Sequence, residues 1–208
     1  MHYALIDESG RLADPNDKII VFAALITESL VSLDKIIPQI KKKLPVRGKR
    51  RKEKTLAEIK FSTTGEKTRL QTLKLIAEKN FKIFILVIDK EGRKIVDDPI
   101  NYSFLIAALL KPAIGKFFDL SHLIIDKHFT QILQREKFND LVQKKLGKRL
   151  FIEHLDSQQN TIVSLPDFVA GSVREAFTKE NFEYKKIIQK LIVVEKKISW
   201  RKLAQQKR

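Results

Sequence analysis

Ala4-Leu5-Ile6-Asp7-Glu8-Ser9-Gly10 carries an apolar run that stops on an acid and a Ser-Gly turn. Five strand-like residues from His2 precede Asp7, which places its carboxylate at the carboxyl end of a strand, where open α/β sheets put their sites. Glu8 should point to the opposite face, because side chains alternate along a strand, and it ranks as secondary.

Outward from this stretch, Lys18 to Ile26 is a second apolar run, separated from the first by a polar loop with Gly10, Pro15 and Asn16, and the two predict a long-looped hairpin. Leu30, Leu33, Ile36, Ile37 and Ile40 recur at helical spacing until the lysines before Pro45. Glu58-Ile59-Lys60-Phe61-Ser62 alternates, and Gly65 opens a second helix in which Leu70, Leu73, Ile76 and Ala77 share a face. Lys82 to Ile88 predicts a buried strand. Tyr102 to Phe118 predicts an apolar helix that Pro112 should kink or end. Leu123-Ile124-Ile125-Asp126 is a further strand, Ile132 to Leu146 an amphipathic helix stopped by Gly147, and Leu150 to His154 a last strand. The final core helix is expected near Ser164, with Ser164 as cap, Pro166 in the first turn and Asp167 as the third helical residue, well placed on the helix dipole. Strands alternating with helices after an initial hairpin predict an α/β domain with a mixed sheet covered on both faces.

Length and composition fit one core: 208 residues, 43% hydrophobic. No cysteine is present, which excludes disulfides, thiolate metal sites and a cysteine nucleophile, and suits a cytoplasmic protein. Asp7 arrives too early for a signal peptide, and the apolar stretch Phe104 to Leu110 stops at Lys111-Pro112, short of a membrane span. The expectation is a protein with no membrane partner.

The formal charge is +16, and two segments hold the excess. Lys41 to Lys54 has nine basic residues and one acid, and Lys185 to Arg208 has the same count. Charge concentrated in two blocks on an otherwise neutral chain predicts contacts with a polyanion, nucleic acid first, with Lys49, Arg50, Arg51 and Lys52 as candidate phosphate contacts. The tail from Lys185 reads either as an extra strand at Leu191-Ile192-Val193-Val194 with a basic end or as a packing element for a second copy, a homodimer.

Asp126 stands at a strand end like Asp7, and if the two strands are neighbours their carboxylates converge. Close carboxylates repel unless a cation lies between them, and hard oxygen ligands select Mg²⁺ or Mn²⁺. Asp167, with Ala170, Gly171 and Arg174 on its helix face, can reach the same point, because small residues let that helix approach the sheet. Glu58 is the candidate fourth acid.

The segments Ala4 to Gly10, Glu58 to Ser62, Ile124-Ile125-Asp126 and Leu165-Pro166-Asp167-Phe168-Val169-Ala170-Gly171 resemble, in content and order, domain-of-unknown-function family 3800, over most of the chain up to about Phe177. That family is similar to the ribonuclease H-like superfamily, whose nucleases and resolvases gather acids from the first strand, the fourth strand and a late helix around two divalent ions. The resemblance implies a mixed five-stranded sheet with helices on both faces, a helical and basic insertion at about 29–79 between strands 2 and 3, a single domain over 1–180 and a basic extension over 181–208. It implies two-metal phosphodiester cleavage of DNA or RNA, with Asp7, Asp126 and Asp167 as metal ligands. The superfamily's further acid lies on the helix after the third strand, which here has none, so Glu58 is its substitute and Asp89 the reserve. Lys60 is then placed to contact the phosphate, and His128 to hold the water or the leaving group.

Three other site chemistries fail on single residues. A metal-dependent adhesion site needs a hydroxyl where Arg11 stands, a haloacid dehalogenase-type phosphatase needs an acid where Ser9 stands, and Ser9 lacks the glycine two residues before it that a nucleophile elbow requires. The rival of another class is a nucleic-acid-binding or adaptor module that keeps the fold without turning over substrate.

Overall fold

The computed structural model describes residues 1–43 and 59–206, and it begins with the predicted hairpin. β1 (His2–Ser9) runs antiparallel to β2 (Ile19–Thr27), with Leu5 opposite Leu25 and Ser9 opposite Val21. β2 pairs antiparallel with β3 (Lys82–Asp89), β1 pairs parallel with β4 (Leu120–Asp126), and β4 pairs parallel with β5 (Phe151–Leu155). A sixth strand joins the five expected ones. β6 (Ile192–Ser199) lies parallel to β3 and completes the order β5-β4-β1-β2-β3-β6.

Between β2 and β3 stand α1 (Ile36–Lys43), entered through a 3-10 turn at Leu33–Lys35, and α2 (Glu66–Ala77). After β3 come α3 (Pro99–Lys116), α4 (Ile132–Leu146), α5 (Ser164–Thr178), α6 (Glu183–Ile188) and, after β6, α7 (Trp200–Gln205). Period-2 alternation in the sheet sorts the apolar side chains into two cores. Leu5, Val21, Ala23, Ile85 and Val87 face α1, α2, α5 and α6, while Ala4, Ile6, Phe22, Leu86 and Ile125 face α3, α4 and Leu203 of α7. Tyr184 and Ile188 of α6 and Leu203 of α7 are buried, so the C-terminal residues contribute to both layers. Among the described residues no helix is long and apolar enough to cross a membrane.

Several local expectations are refined. Gly147 does end α4, in the left-handed conformation at φ 61°. Pro112 neither ends nor shortens α3, which continues to Lys116; proline costs the helix one backbone bond, and burial of Leu109, Leu110 and Ala113 around it offsets that loss. The segment from Ile59 to Ser62 is not a strand: Ile59 and Phe61 are buried in alternation with Lys60, but the chain turns at Phe61 and bonds to helices rather than to a sheet. Ser164 is not the cap of α5. A 3-10 turn at Thr161–Val163 precedes that helix, the Asn160 side chain accepts the Ile162 N–H at its start, and Asp167 becomes the fourth helical residue.

The loop between β1 and β2 is fixed from inside. The Lys90 side chain is fully buried and donates to the carbonyls of Arg11 at 2.7 Å, Leu12 at 2.9 Å and Asp14. Burial lowers its pKa while Asp17 and Asp14 oppose that effect. At the base of the same loop Gly10 has φ +108°, and a Cβ there would lie 2.9 Å from the Ile19 carbonyl and 3.1 Å from Arg174 Nε. Only glycine accepts both constraints. Arg174 spans the spot, donating to Ile19 O at 3.0 Å and to Asp17 at 2.6 Å.

Candidate active site

The parallel register pairs Ile6 with Ile125, so the next residues, Asp7 and Asp126, leave adjacent strands side by side. Both continue the parity that faces α5, as Leu5 and Ile124 do. α5 lies against β1 and β2, and its Asp167 completes the group. Asp7, Glu8, Gly10, Lys60, Asp126, Lys127, His128 and Asp167 line one cleft of about 250 Å³. Asp7 and Asp167 are only 7% and 8% exposed.

The electrostatics of the cleft follow from crowding acids in a half-dry place. Burial is the chief reason that the Asp7 carboxyl is pushed well above its ordinary pKa, and Glu8, Asp167 and Asp126 push it further, against a single backbone hydrogen bond from the Glu8 N–H at 2.8 Å. Asp126 is likewise raised by burial, and Lys60 and the N–H groups of Lys127 and Ser157 oppose the rise. The acids feel one another electrostatically, yet among the described residues no three acidic or histidine side chains stand at ligating distance of a common point.

Lys60 enters the cleft because its neighbours are pinned. Phe61 donates its N–H to Asp167 Oδ2 at 2.6 Å, and its carbonyl accepts from Arg69 Nε at 2.8 Å. Its ring packs edge-on to Phe168 and Tyr184 under the Arg69 guanidinium. Gly171 makes room for that ring: a Cβ there would lie 2.5 Å from Phe61 Cγ. Gly171→Ala should therefore cost about 1–3 kcal/mol in a urea titration and shift the Lys60 segment off Asp167. An unchanged midpoint would show that Phe61 repacks freely.

On the other side of β1, Glu8 meets His128, which was expected at the site, together with Tyr102 and Asp97, which sequence reasoning passed over. The α3 helix, which lacks an acid, presents Tyr102, whose hydroxyl donates to Glu8 Oε2 at 2.5 Å. His128 donates from Nδ1 to Glu8 Oε1 at 3.1 Å and from Nε2 to Asp97 at 2.7 Å, and its ring stacks on Tyr102 at 4.1 Å. Burial alone would lower the His128 pKa, but the two carboxylates win and push it up to about 10. Burial and Glu8 together also raise the Tyr102 pKa well above its ordinary value. The alternation that turns Glu8 away from Asp7 was legible; the strand end, where both side chains border the same opening, was not. A tyrosine at helical phase opposite an acid at a strand end is the signal that could have found this set.

Of the other expected residues, Glu58, Lys49, Arg50, Arg51 and Lys52 lie outside the described residues. Asp89 sits on the same sheet edge but two strands away, and it accepts the Glu91 N–H at 2.9 Å rather than lining the cleft. Among the described residues, the fourth acid lining the cleft is Glu8.

No protein-family model matches the chain, and no curated protein matches it. Among solved structures, the ribonuclease H2 of Pyrococcus horikoshii OT3 matches with a TM-score of 0.54 at 16% identity, over 91% of this chain and 77% of that one. The fold is ribonuclease H-like. The RNase HII of Archaeoglobus fulgidus, in its complex with PCNA, matches at 16% identity with a TM-score of 0.48, over 91% of this chain and 78% of that one. The ribonuclease H-like fold that the resemblance implied is thus the one the chain adopts, whereas the resemblance to domain-of-unknown-function family 3800 itself finds no matching family model. The ribonuclease H-like fold here carries its acids at the carboxyl ends of β1 and β4 and on the first turn of α5.

Proposed function

We propose that the chain is a divalent-metal-dependent nuclease that cleaves nucleic-acid phosphodiesters. The observation that carries this reading is the convergence of Asp7, Glu8, Asp126 and Asp167 with two lysines on one cleft at the carboxyl edge of the sheet. The donor set suits Mg²⁺ or Mn²⁺ in its chemistry: all hard oxygens, with the Asp7 carboxylate disfavoured by burial and by the neighbouring acids, a cost that a cation offsets. Asp7, Asp126 and Asp167 are the ligands in this reading, with Glu8 beside them. Asp7, Asp126 and Asp167 would hold the ions, which when bound would supply Lewis acidity to acidify a water and to offset charge on the leaving oxygen.

The chain's own groups supply the rest. Lys60, whose charge already acts on Asp126, offers its ammonium to a non-bridging phosphate oxygen. His128 has both ring nitrogens committed to carboxylates, so it orients Glu8 instead of taking a proton from water. The likeness to the ribonuclease H2 named above shows the fold alone, and the substrate class rests on the basic and acidic lining of the cleft. The absence of cysteine suits a cytoplasmic setting.

A second reading has a specific observation in its favour: Asp7, Asp126 and Asp167 each already accept a backbone N–H, as structural acids do in a protein that only binds nucleic acid. Incubating the purified chain with labelled single-stranded, duplex, hybrid and branched substrates separates the two. Cleavage that needs Mg²⁺ or Mn²⁺ and stops with chelator is expected. Failure on all four substrates would overturn the nuclease and leave the binding module.

A further inference from the structure

A second cleft opens on the same edge of the sheet as the acids. Ser199 at the end of β6 pairs with Asp89 at the end of β3, and Asp89 pairs with Ile19 next to β1's end, so β1, β2, β3 and β6 reach one rim. Beyond that rim, Arg93, Lys94, Trp200, Arg201, Ala204 and Gln205 enclose about 560 Å³. Arg93, Lys94 and Arg201 are exposed, and none of the three forms an ion pair with a described carboxylate. Trp200 is half-buried, held edge-on against Phe104 at 6.4 Å, while Leu203 anchors its helix in the core.

An indole beside three uncompensated cations matches what a splayed nucleotide needs, a flat apolar face for the base and positive charge for its phosphates. A base inside a duplex is already stacked on both sides and has no face to give. Three strand spacings of about 4.8 Å separate β1 from β6, about 14 Å in all, a distance that a few nucleotides of a single strand can bridge. The connection is continuous: the loop that carries Arg93 and Lys94 is pinned by the Ile95 N–H on the Leu12 carbonyl at 3.0 Å, and two residues on it delivers Asp97 to His128 at the acid cleft.

We propose that the Trp200 cleft binds a single-stranded stretch of nucleic acid that flanks the segment lying at the carboxylates. This rests on the reading of the acid cleft as a nucleic-acid site, but its test does not use cleavage. Trp200 is the sole tryptophan of the sequence, so its emission reports the cleft directly. The full-length Asp7→Asn protein is titrated with a thymidine oligonucleotide of about 12 residues, a length such grooves cover. Saturable quenching of the Trp200 emission is expected, with the same midpoint as the anisotropy of a labelled oligonucleotide.

Trp200→Ala should weaken single-strand binding about tenfold and leave duplex binding unchanged, while Trp200→Phe, which keeps a ring for packing and stacking, retains most of the affinity. Arg93→Glu with Lys94→Glu should lower the salt slope by about 1.4, two single-strand phosphate contacts at about 0.7 each. Binding without any change in emission, or equal loss on single strand and duplex, would overturn the proposal. Displacement of the oligonucleotide by polyglutamate at equal charge concentration would assign the cleft to acidic peptide and also overturn it. A protein that cleaves nothing yet shows the Trp200 effects sinks only the nuclease reading; one that cleaves with unquenched Trp200 sinks only this one.

Discussion

Asp7→Asn should lower metal-dependent cleavage by at least about 100-fold while leaving nucleic-acid binding intact or stronger. Disturbing even the groups that orient a metal ligand commonly costs about 10- to 100-fold, and Asp7 is the most buried acid of the cleft, flanked by Glu8, Asp126 and Asp167. Removing one negative charge beside the phosphate path lowers repulsion, which is why binding moves the other way. The same variant should be more stable than the parent in chelator at neutral pH. The sign follows from linkage: Asp7's folded pKa lies above its ordinary value near 3.8, so the native state holds the proton that the unfolded chain has released. Asp7's contribution to parent stability is then fully present below that ordinary value and is lost as pH rises through the raised pKa. Chemical denaturation from pH 4 upward reads this as a widening gap between variant and parent, and adding Mn²⁺ should narrow it from the parent's side. Full cleavage by Asp7→Asn, or a variant less stable than its parent across that range, would remove Asp7 from the centre of the site.

His128→Ala has the next largest expected effect, a loss of about 2–3 kcal/mol, because it strips the cation from half-buried Glu8, while the exposed Asp97 on its other side is screened by water and adds little. Here the folded pKa is raised, to about 10 from 6.5, so the contribution is fully present below pH 6.5 and disappears as pH rises through about 10. The stability gap between parent and variant should shrink over that interval. A gap under about 1 kcal/mol, or one that ignores pH, would mean that His128 packs on Tyr102 without binding its neighbours as a cation. Cleavage should fall as well, since Glu8 loses the group that orients it.

The sequence carried the sheet well where periodicity and punctuation agree. The apolar runs of β1, β2 and β3, the Gly147 stop and the strand-end acids Asp7 and Asp126 are each local signals, and the register that sets those acids side by side follows once β1 and β4 are neighbours. Asp167 was legible as a helix-start acid, but not its bond to the Phe61 N–H, because that contact joins residues with no pattern in common. The Glu8, His128, Asp97 and Tyr102 set was hidden for the same reason: three elements and a loop meet there, and the interaction energies are tertiary. β6 was left open between two readings, since half-buried, lysine-bearing edge strands lack the continuous apolar run of β3.

That strand has a kinetic side. Pairing Ile83 with Ile192 joins segments far apart in the chain, and such non-local pairings are expected to form late, leaving the outer backbone of β3 open until then. During the wait, the β6 of a second molecule offers the same ladder of hydrogen bonds to the same apolar edge. Concentration during refolding should thus set how much of the protein closes on itself and how much trades strands with a neighbour, which the dimer fraction after refolding at two concentrations would read.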